Sequence, residues 1–137
     1  MIIEYILDTN ICIYVAKHSP LQVLKKFESL RPGSVGMSLI TYAELLYGAA
    51  KSNNPKKTTN IVNQLIELIP VLAIDNTVST HYADIRSTLE KQGKIIGNND
   101  LWIASHVRSL NKILVTNTEK EFNRVENLIV ENWVVSG

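Results

Sequence analysis

The chain has 137 residues, of which 45% are hydrophobic and 20% are charged, with a net charge of +1; these values are typical of one globular domain. No apolar run approaches the roughly 20 residues of a membrane-spanning helix, and the N-terminal segment lacks the basic leader and cleavage site of a signal peptide. We therefore expect a cytoplasmic protein, whose single cysteine, Cys12, excludes an internal disulfide.

In chain order, the first half predicts a strand at 2–7, a helix at 11–16, a helix from 20 to 30, a strand at 35–37, and helices at 38–50 and 56–69. Short apolar runs indicate the strands, and apolar residues at helical spacing indicate the helices. Asp8, Thr9 and Asn10 are three successive N-cap residue types before the first helix, and Ser38 is the predicted cap of the third. Pro20 starts the second helix.

The second half predicts a strand at 71–74, a helix at 76–92, a helix from 98 or 99 to 110, a strand at 113–115, a short helical turn at 119–122 and a strand at 128–130. Pro70 ends the preceding helix and Gly93 closes the long one. Asn98 or Asn99 is the predicted N-cap of the last long helix. With no linker, repeat or low-complexity segment, residues 1–137 are predicted to form a single domain.

Short apolar strands that alternate with helices predict an α/β fold, in which helices cover both faces of a mostly parallel sheet of four or five strands. In such three-layer folds the functional site lies outside the carboxyl ends of the strands. Asp8 directly follows the first strand, and Thr116 and Asn117 directly follow the fourth, so we expect them at that edge. Glu44 and Asp100 reach the same edge from the early turns of their helices.

Four carboxylates lie where a folded protein has little structural use for them: Asp8, Glu44, Asp100 and Glu121. Burial of a lone carboxylate is costly, so an acid in an apolar segment is neutralised, paired or bound to metal. Singly, each has a structural explanation: Asp8 as a helix cap, Asp100 as a complement to a helix dipole, Glu121 as a surface acid and Glu44 as an acid at a helix edge. Their combination predicts a hard-cation site.

Four segments resemble the successive motifs of the PIN-domain ribonucleases: LDTN at 7–10, TYAELLYGA at 41–49, GNNDLWIASH at 97–106 and VTNTEKEF at 115–122. The segments follow the order and spacing of that family, and the resemblance extends to 131–133, so it covers essentially the whole chain. Within the family, the chain resembles in particular the VapC toxins of bacterial type II toxin–antitoxin systems.

The resemblance implies that Asp8, Glu44 and Asp100 are metal-binding catalytic acids and that Glu121 is the additional acid of the last motif. It also implies a polar supporting shell made of Thr9, Asn10, Asn99 and Thr116. One departure is Thr118, because such proteins often have Asp or Asn there. A neutral hydroxyl at this position favours a single tightly held ion, with a second recruited alongside the substrate phosphate.

The implied cofactor is Mg²⁺, with Mn²⁺ as a substitute, because Mg²⁺ prefers six oxygen ligands and keeps several waters. A bound ion polarises the scissile phosphate and activates a water for in-line attack on phosphorus. The resemblance implies endonucleolytic hydrolysis of RNA that leaves a 5'-phosphate and a 3'-hydroxyl. His18, His81 and His106 lie in separate segments without an accompanying motif, so no histidine is assigned as a general base.

The substrate and partners also follow from the resemblance. Toxins that share the LDTNICIY opening cut initiator tRNA in its anticodon region, so tRNA is the leading target and the expected effect is inhibition of translation and growth. The family implies a homodimer and a cognate VapB antitoxin whose C-terminal segment lies along the toxin groove, in a larger assembly. DNA binding would come only from the antitoxin, because this chain has no helix-turn-helix or basic arm, and no membrane contact is expected.

Two features of the composition bear on RNA binding. Basic residues are concentrated between 17 and 57, which suits a polyanion, although ordinary solvated helix faces have a similar composition. Tyr42, Tyr47 and Trp102 flank the proposed acids and are candidates for base stacking or partner contact, with core or dimer packing as the alternative.

Two other interpretations stay open at this point. Thr118 is compatible with a catalytically weak PIN-like module that binds RNA without turnover. Asp8 and Asp75 each follow a strand, as in Asp-dependent phosphotransfer or phosphatase α/β domains. Against that class, the segment 8–10 lacks the second Asp of the DxD phosphatase pattern, and Asp75 has no adjacent acid pair.

Overall fold

Five strands, joined by one or two helices each, and seven helices in all lie within residues 2–134, the part of the chain that the computed structural model describes. The strands are β1 (Tyr5–Leu7), β2 (Val35–Ser38), β3 (Val71–Leu72), β4 (Ile113–Val115) and β5 (Ile129–Glu131). The helices are α1 (Thr9–Lys17), α2 (Leu21–Ser29), α3 (Leu39–Ala50), α4 (Pro55–Leu68), α5 (Asn76–Lys91), α6 (Asn98–Leu110) and α7 (Glu119–Phe122). Met1 and residues 135–137 lie outside the described part, and with them the ends of the predicted 1–137 domain.

The strands form one parallel sheet in the order β3-β2-β1-β4-β5. The predicted α/β class, with a parallel sheet between two helical layers, is confirmed. β1 is the central strand, and its first residue, Tyr5, pairs with Val35 on one side and with Ile113 on the other. The carboxyl ends of β1 and β4 therefore emerge side by side.

All strands except β4 have a boundary that differs from the prediction by one to three residues, and β2 ends at Ser38 instead of residue 37. β1 begins at Tyr5 instead of residue 2, because neither neighbouring strand offers a paired residue before Tyr5. β3 ends at Leu72 instead of residue 74, because its partner β2 ends at Ser38, where α3 is capped. β5 runs one residue later than predicted, since its register is set by pairing with β4 through Glu131.

Successive residues of the central strands divide the core into two halves. Ile6 points to one face of the sheet and Leu7 to the other, and both are fully buried. Helices α1 to α4 contribute buried residues to the half that contains Leu7. Helices α5 to α7 contribute to the half that contains Ile6. None of the helices in residues 2–134 is both long and apolar enough to cross a membrane.

The helices begin within two residues of the predicted positions, and the predicted N-caps are confirmed with one exception. Asp8 caps α1 and Ser38 caps α3, each by accepting a backbone N–H with its side chain. Gly97, rather than Asn98 or Asn99, is the N-cap of α6, and no side chain caps that helix. The prediction of an asparagine cap is wrong because both asparagines lie inside the first turn, where their side chains form tertiary hydrogen bonds.

A buried histidine fixes α6 against the sheet. His106 is 1% exposed, its Nε2 lies 3.1 Å from the carbonyl oxygen of Ala73, and its Nδ1 lies 2.8 Å from the hydroxyl of Ser38. Because a carbonyl only accepts, Nε2 donates to Ala73 and Nδ1 accepts from Ser38, which is the pattern of a neutral imidazole. Burial lowers the pKa of His106, in keeping with that form.

Candidate active site

Asp8 lies at the junction of β1 and α1 and is almost completely buried, with 6% exposure. Its Oδ1 accepts the backbone N–H of Ile11 at 3.0 Å, and its Oδ2 accepts the hydroxyl of Thr116 at 2.5 Å. Burial raises the pKa of Asp8, although the hydrogen bonds from Thr116 and Ile11 oppose that rise. The carboxylate is thus a helix cap and an oriented oxygen donor at the same time.

A second hydroxyl extends the contact with Asp8. The oxygen of Thr118 lies 2.9 Å from the hydroxyl oxygen of Thr116, and the backbone N–H of Thr118 donates to that same oxygen at 3.0 Å. Thr116 has a single hydroxyl proton, which it donates to Asp8, so Thr118 must be the donor in the hydroxyl pair. The chain of donors therefore runs from Thr118 through Thr116 to Asp8.

Glu44 approaches the same edge from the second turn of α3. Its Oε1 accepts the hydroxyl of Thr9 at 2.5 Å, and its Oε2 accepts the side-chain amide of Asn99 at 3.2 Å. The hydroxyls of Thr9 and Thr41 lie 3.4 Å apart. Elements that are distant in sequence, α1 and the start of α6, therefore fix the two carboxylate oxygens of Glu44.

Asp100 lies in the first turn of α6 and is surrounded by negative charge. Partial burial, together with the charges of Glu121, Glu44 and Asp8, raises its pKa to about 6. Glu121 is the charged neighbour with the largest effect, although it is exposed on α7. Asp100 thus lies close enough to Asp8, Glu44 and Glu121 for their negative charges to act on its carboxyl group.

The donor set fits a hard divalent cation. All four acids supply oxygen ligands, which Mg²⁺ and Mn²⁺ prefer. Within residues 2–134 the side-chain ion pairs are Arg86–Glu90 and Arg108–Asp84, so no basic side chain neutralises the four acids. In the same residues, no three acidic, histidine or cysteine side chains converge closely enough to enclose an ion as they lie. The four carboxylates lie at the carboxyl edge of the sheet and repel one another. A bound cation would reduce that electrostatic repulsion.

The three aromatic candidates lie in different environments. Tyr42 is half-buried and packs against the core half that contains Leu7. Trp102 stacks on Tyr82 with 4.0 Å between ring centroids and 17° between planes. Tyr47 is 66% exposed, so of the three it is the side chain most available to a partner.

Three polar residues near the acids have no site role in the sequence predictions, although Asn117 is expected at the same edge of the sheet. Thr41 is fully buried beside Thr9. Asn117 donates to the hydroxyl of Tyr14 at 3.0 Å and lies 3.5 Å from the amide of Asn10. Thr118 was noted only as a departure from the family pattern. Thr41 and Asn117 lie within the quoted motifs, so their proximity to the acids was the available signal.

Comparisons with known proteins identify the family. The PIN domain family model matches residues 5–128. A ribonuclease VapC2 from Haemophilus influenzae is 43% identical over 132 residues, which cover 96% of this chain and 99% of the relative. A tRNA(fMet)-specific endonuclease VapC from Shigella flexneri is 40% identical over 131 residues, with 96% and 98% covered.

A solved structure gives the same result. The structure of VapBC-1 from nontypeable Haemophilus influenzae superposes with a TM-score of 0.89 at 43% identity, and the match covers 98% of this chain and 100% of that one. Sequence identity and fold therefore agree along nearly the whole length. The chain belongs to the PIN-domain family and, within it, to the VapC ribonucleases, the toxins of type II toxin–antitoxin systems.

Proposed function

We propose that this chain is a Mg²⁺- or Mn²⁺-dependent endoribonuclease that cleaves structured RNA. The observation that carries the proposal is the position of Asp100, whose carboxyl group feels the charges of Glu121, Glu44 and Asp8 at the carboxyl edge of a parallel sheet. A protein maintains such repulsion at a cost in stability, and a divalent cation offsets it.

The four acids have two roles in this proposal. Asp8, Glu44 and Asp100 hold the cation, and Glu121 supplies a further negative group beside Asp100. When bound, the cation polarises the scissile phosphate and promotes ionisation of a water that attacks phosphorus. Thr116 orients Asp8, and Thr9 and Asn99 orient Glu44, so the oxygen donors are set before the substrate binds.

Initiator tRNA, cut in its anticodon region, is the target that we propose first. The Shigella flexneri relative, at 40% identity, is described as specific for tRNA(fMet). An anticodon loop presents unpaired bases and a bent backbone, the features by which proteins commonly recognise RNA. Cleavage there would inhibit translation and growth, and it would take place in the cytoplasm.

A VapB-type antitoxin is the proposed partner. The structural neighbour from Haemophilus influenzae is a VapBC complex and matches this chain over nearly its full length. An antitoxin arginine directed at the acidic site would pair with carboxylates that have no basic partner within residues 2–134. We also propose a homodimer that joins a larger assembly with the antitoxin, which alone would contact DNA.

The test is to incubate the purified protein with total cellular RNA and Mg²⁺ or Mn²⁺ and to map the new 5'-phosphate ends. We expect discrete cuts, with initiator tRNA among the targets. Asp100→Asn is the matched control because it removes one charge and keeps the shape of the side chain. Identical RNA profiles for wild type and Asp100→Asn would refute the nuclease proposal, and RNA binding without products would favour a non-catalytic module.

The phosphotransfer interpretation has less support. Asp75 is exposed and caps α5, where it accepts the backbone N–H and the hydroxyl of Thr77. These hydrogen bonds lower the pKa of Asp75. The charges that raise the pKa of Asp100 are those of Glu121, Glu44 and Asp8, and Asp75 does not contribute. Phosphate incorporation at an Asp after treatment with acetyl phosphate would revive that interpretation.

A further inference from the structure

One face of α3 leads from the acidic site to a group of lysines. Glu44, Gly48 and Lys51 follow one another at spacings of four and three residues, so they lie along one stripe. The axial distance from Glu44 to Lys51 is about 10 Å at the rise of an α-helix. The neighbouring stripe of α3, about 100° away around the helix axis, contains Thr41, Leu45 and Ala49 and is buried.

The middle of this face is open. A Cβ atom built on Gly48 would meet no heavy atom within 4 Å. Beside it, Tyr47 is 66% exposed, and the Lys51 ammonium lies 4.8 Å from the centroid of its ring. The face therefore combines bare helix backbone, an accessible aromatic ring and a cation placed over that ring, which are the elements of a stacking platform.

The positive charge continues into α4. Lys56 and Lys57 are exposed in the first turn of α4, and that turn contains no acidic residue. The N-terminus of a helix carries a partial positive charge that favours acids, so lysines at this point are electrostatically unfavourable for the helix. Between Glu44 and Glu67 the chain has three lysines and no carboxylate. Such a concentration of positive charge suits an anion outside the chain.

The turn between α3 and α4 holds these groups together. The hydroxyl of Ser52 lies 3.2 Å from that of Thr58, and the side chain of Asn54 accepts the backbone N–H of Lys57 at 3.2 Å. An open depression of about 400 Å³ lies beside the turn and is lined by Asn54, Lys56, Lys57, Asn60, Ile61 and Gln64. Five of the six lining residues have amide or ammonium side chains, which can contact phosphates.

We infer that the outer face of α3, from Glu44 through Tyr47 and Gly48 to Lys51, continued by Lys56 and Lys57 of α4, is the docking surface for the RNA strand on one side of the scissile phosphate. The inference rests on the proposed endoribonuclease function and adds the direction in which the strand leaves the acidic site. Tyr47 stacks on a base, and the three lysines neutralise phosphates.

The test measures RNA binding separately from cleavage. Full-length protein carrying Asp100→Asn is titrated against a fluorescein-labelled RNA hairpin with a single-stranded loop, and anisotropy is followed over a series of KCl concentrations. Lys51→Gln, Lys56→Gln and Lys57→Gln are compared with Lys91→Gln, an exposed lysine of α5 in the other helical layer. Each of the first three substitutions makes the plot of log K, the RNA association constant, against log [KCl] less steep by about one, and Lys91→Gln leaves it unchanged.

Substitutions on α3 test the stacking surface and the open face. Tyr47→Ala weakens RNA binding about tenfold, while Tyr47→Phe retains it because the ring remains. At Gly48, where a side chain has room, Gly48→Ala binds as well as the parent protein, and Gly48→Glu binds more weakly than Gly48→Gln because only the first adds negative charge. Circular dichroism melts verify that each variant is folded.

The outcomes separate this inference from the proposed function. If the lysine and Gly48 variants bind the hairpin with unchanged affinity and salt slope while wild type still cleaves RNA in a metal-dependent way, the docking surface is refuted and the nuclease stands. The same result together with weaker self-association or antitoxin binding would assign the face to a protein partner instead. If wild type does not cleave but the slopes change as expected, only the proposed cleavage fails.

Discussion

The hydroxyl of Thr116 donates to Oδ2 of Asp8 across 108 positions of sequence, at 2.5 Å and in a buried setting. The contact joins the carboxyl ends of β1 and β4, the neighbouring strands at the centre of the sheet. Because Ile11 N–H holds the other oxygen of Asp8, the carboxylate is fixed in one orientation. Its remaining lone pairs are available to a cation.

Removal of the Thr116 hydroxyl should therefore weaken the site without destroying the fold. We expect Thr116→Val to lower cleavage and Mn²⁺ affinity by about 10- to 100-fold, the usual effect of losing a group that orients a metal ligand. Thr116→Ser retains the hydroxyl and should stay near wild type. Isothermal titration with Mn²⁺ measures the affinity, and equal values for Thr116→Val and wild type would contradict the prediction.

A substitution at Thr118 should lower the stability of the metal-free protein and increase the stabilisation by metal. Thr118→Asp places a carboxylate next to Thr116, close to acids that already repel one another, so the metal-free protein should lose about 1 kcal/mol of unfolding free energy. Mn²⁺ should restore more stability to Thr118→Asp than to wild type, because the variant has an additional oxygen ligand. Thermal melts in EDTA and in Mn²⁺ measure the difference, with Thr118→Asn as the uncharged control. A Mn²⁺-induced rise no larger than that of wild type would argue against this role of position 118.

The raised pKa of Asp100 predicts a pH dependence of stability. Its pKa is about 6 in the folded protein, above the ordinary 3.8, so the folded state binds more protons between these values. The free energy of unfolding should therefore fall as pH rises from about 4 to about 6 and stay low above that range. Since Asp100 is only half-buried, we expect about 1–2 kcal/mol after allowance for solvent screening.

The measurement is urea unfolding of EDTA-treated protein at several pH values, compared with Asp100→Asn. The comparison is needed because burial lowers the pKa of His106, which gives the opposite slope: stability is lost as pH falls below the unfolded value near 6.5. Asp100→Asn leaves His106 in place, so the difference between the two proteins isolates Asp100. A difference that is constant from pH 4 to 7 would contradict the assignment.

The pairing of His106 with Ser38 predicts a large but coupled effect on stability. His106→Leu leaves the Ser38 hydroxyl and the Ala73 carbonyl without their partner, so we expect a loss of about 2–4 kcal/mol. Ser38→Ala should cost less in that background than in wild type, because Ser38 then has only its N-cap bond to Ile40 to lose. A double-mutant cycle by urea unfolding measures the coupling, and strictly additive losses would show that the two side chains act independently.

Much of this fold was predictable because local signals and tertiary structure agree. The apolar run that ends at Asp8 predicted a central buried strand followed by a helix, and Ser38 predicted the start of α3. Strand ends were less predictable, since they depend on partners: Tyr5 is the first residue of β1 because pairing with Val35 and Ile113 begins there. The asparagine cap of α6 failed for the same reason, as Asn99 donates instead to Glu44.

The acidic residues of the site were predictable from the sequence, but the contacts between their neighbours were not. Charges are rare in the segments around Asp8, Glu44 and Asp100, a property that sequence alone displays, whereas Glu121 lies beside Glu119 and Lys120 and follows from the resemblance of the last motif. The roles of Thr41 and Thr118 depend on which hydroxyls meet after folding. The position of Trp102 against Tyr82 depends on the packing of α5 on α6. Sequence patterns contain no distances between elements, so these contacts required the structure.

The most direct test of the central claim is single-turnover cleavage of initiator tRNA by EDTA-treated protein as a function of added Mg²⁺. We expect no cleavage without the cation, saturable recovery with it, 5'-phosphate and 3'-hydroxyl products, and a rate at least about 100-fold lower in Asp100→Asn. Cleavage of any RNA at an undiminished rate in EDTA, or by Asp100→Asn at the wild-type rate, would contradict the assignment of these acids to a metal-dependent nuclease site.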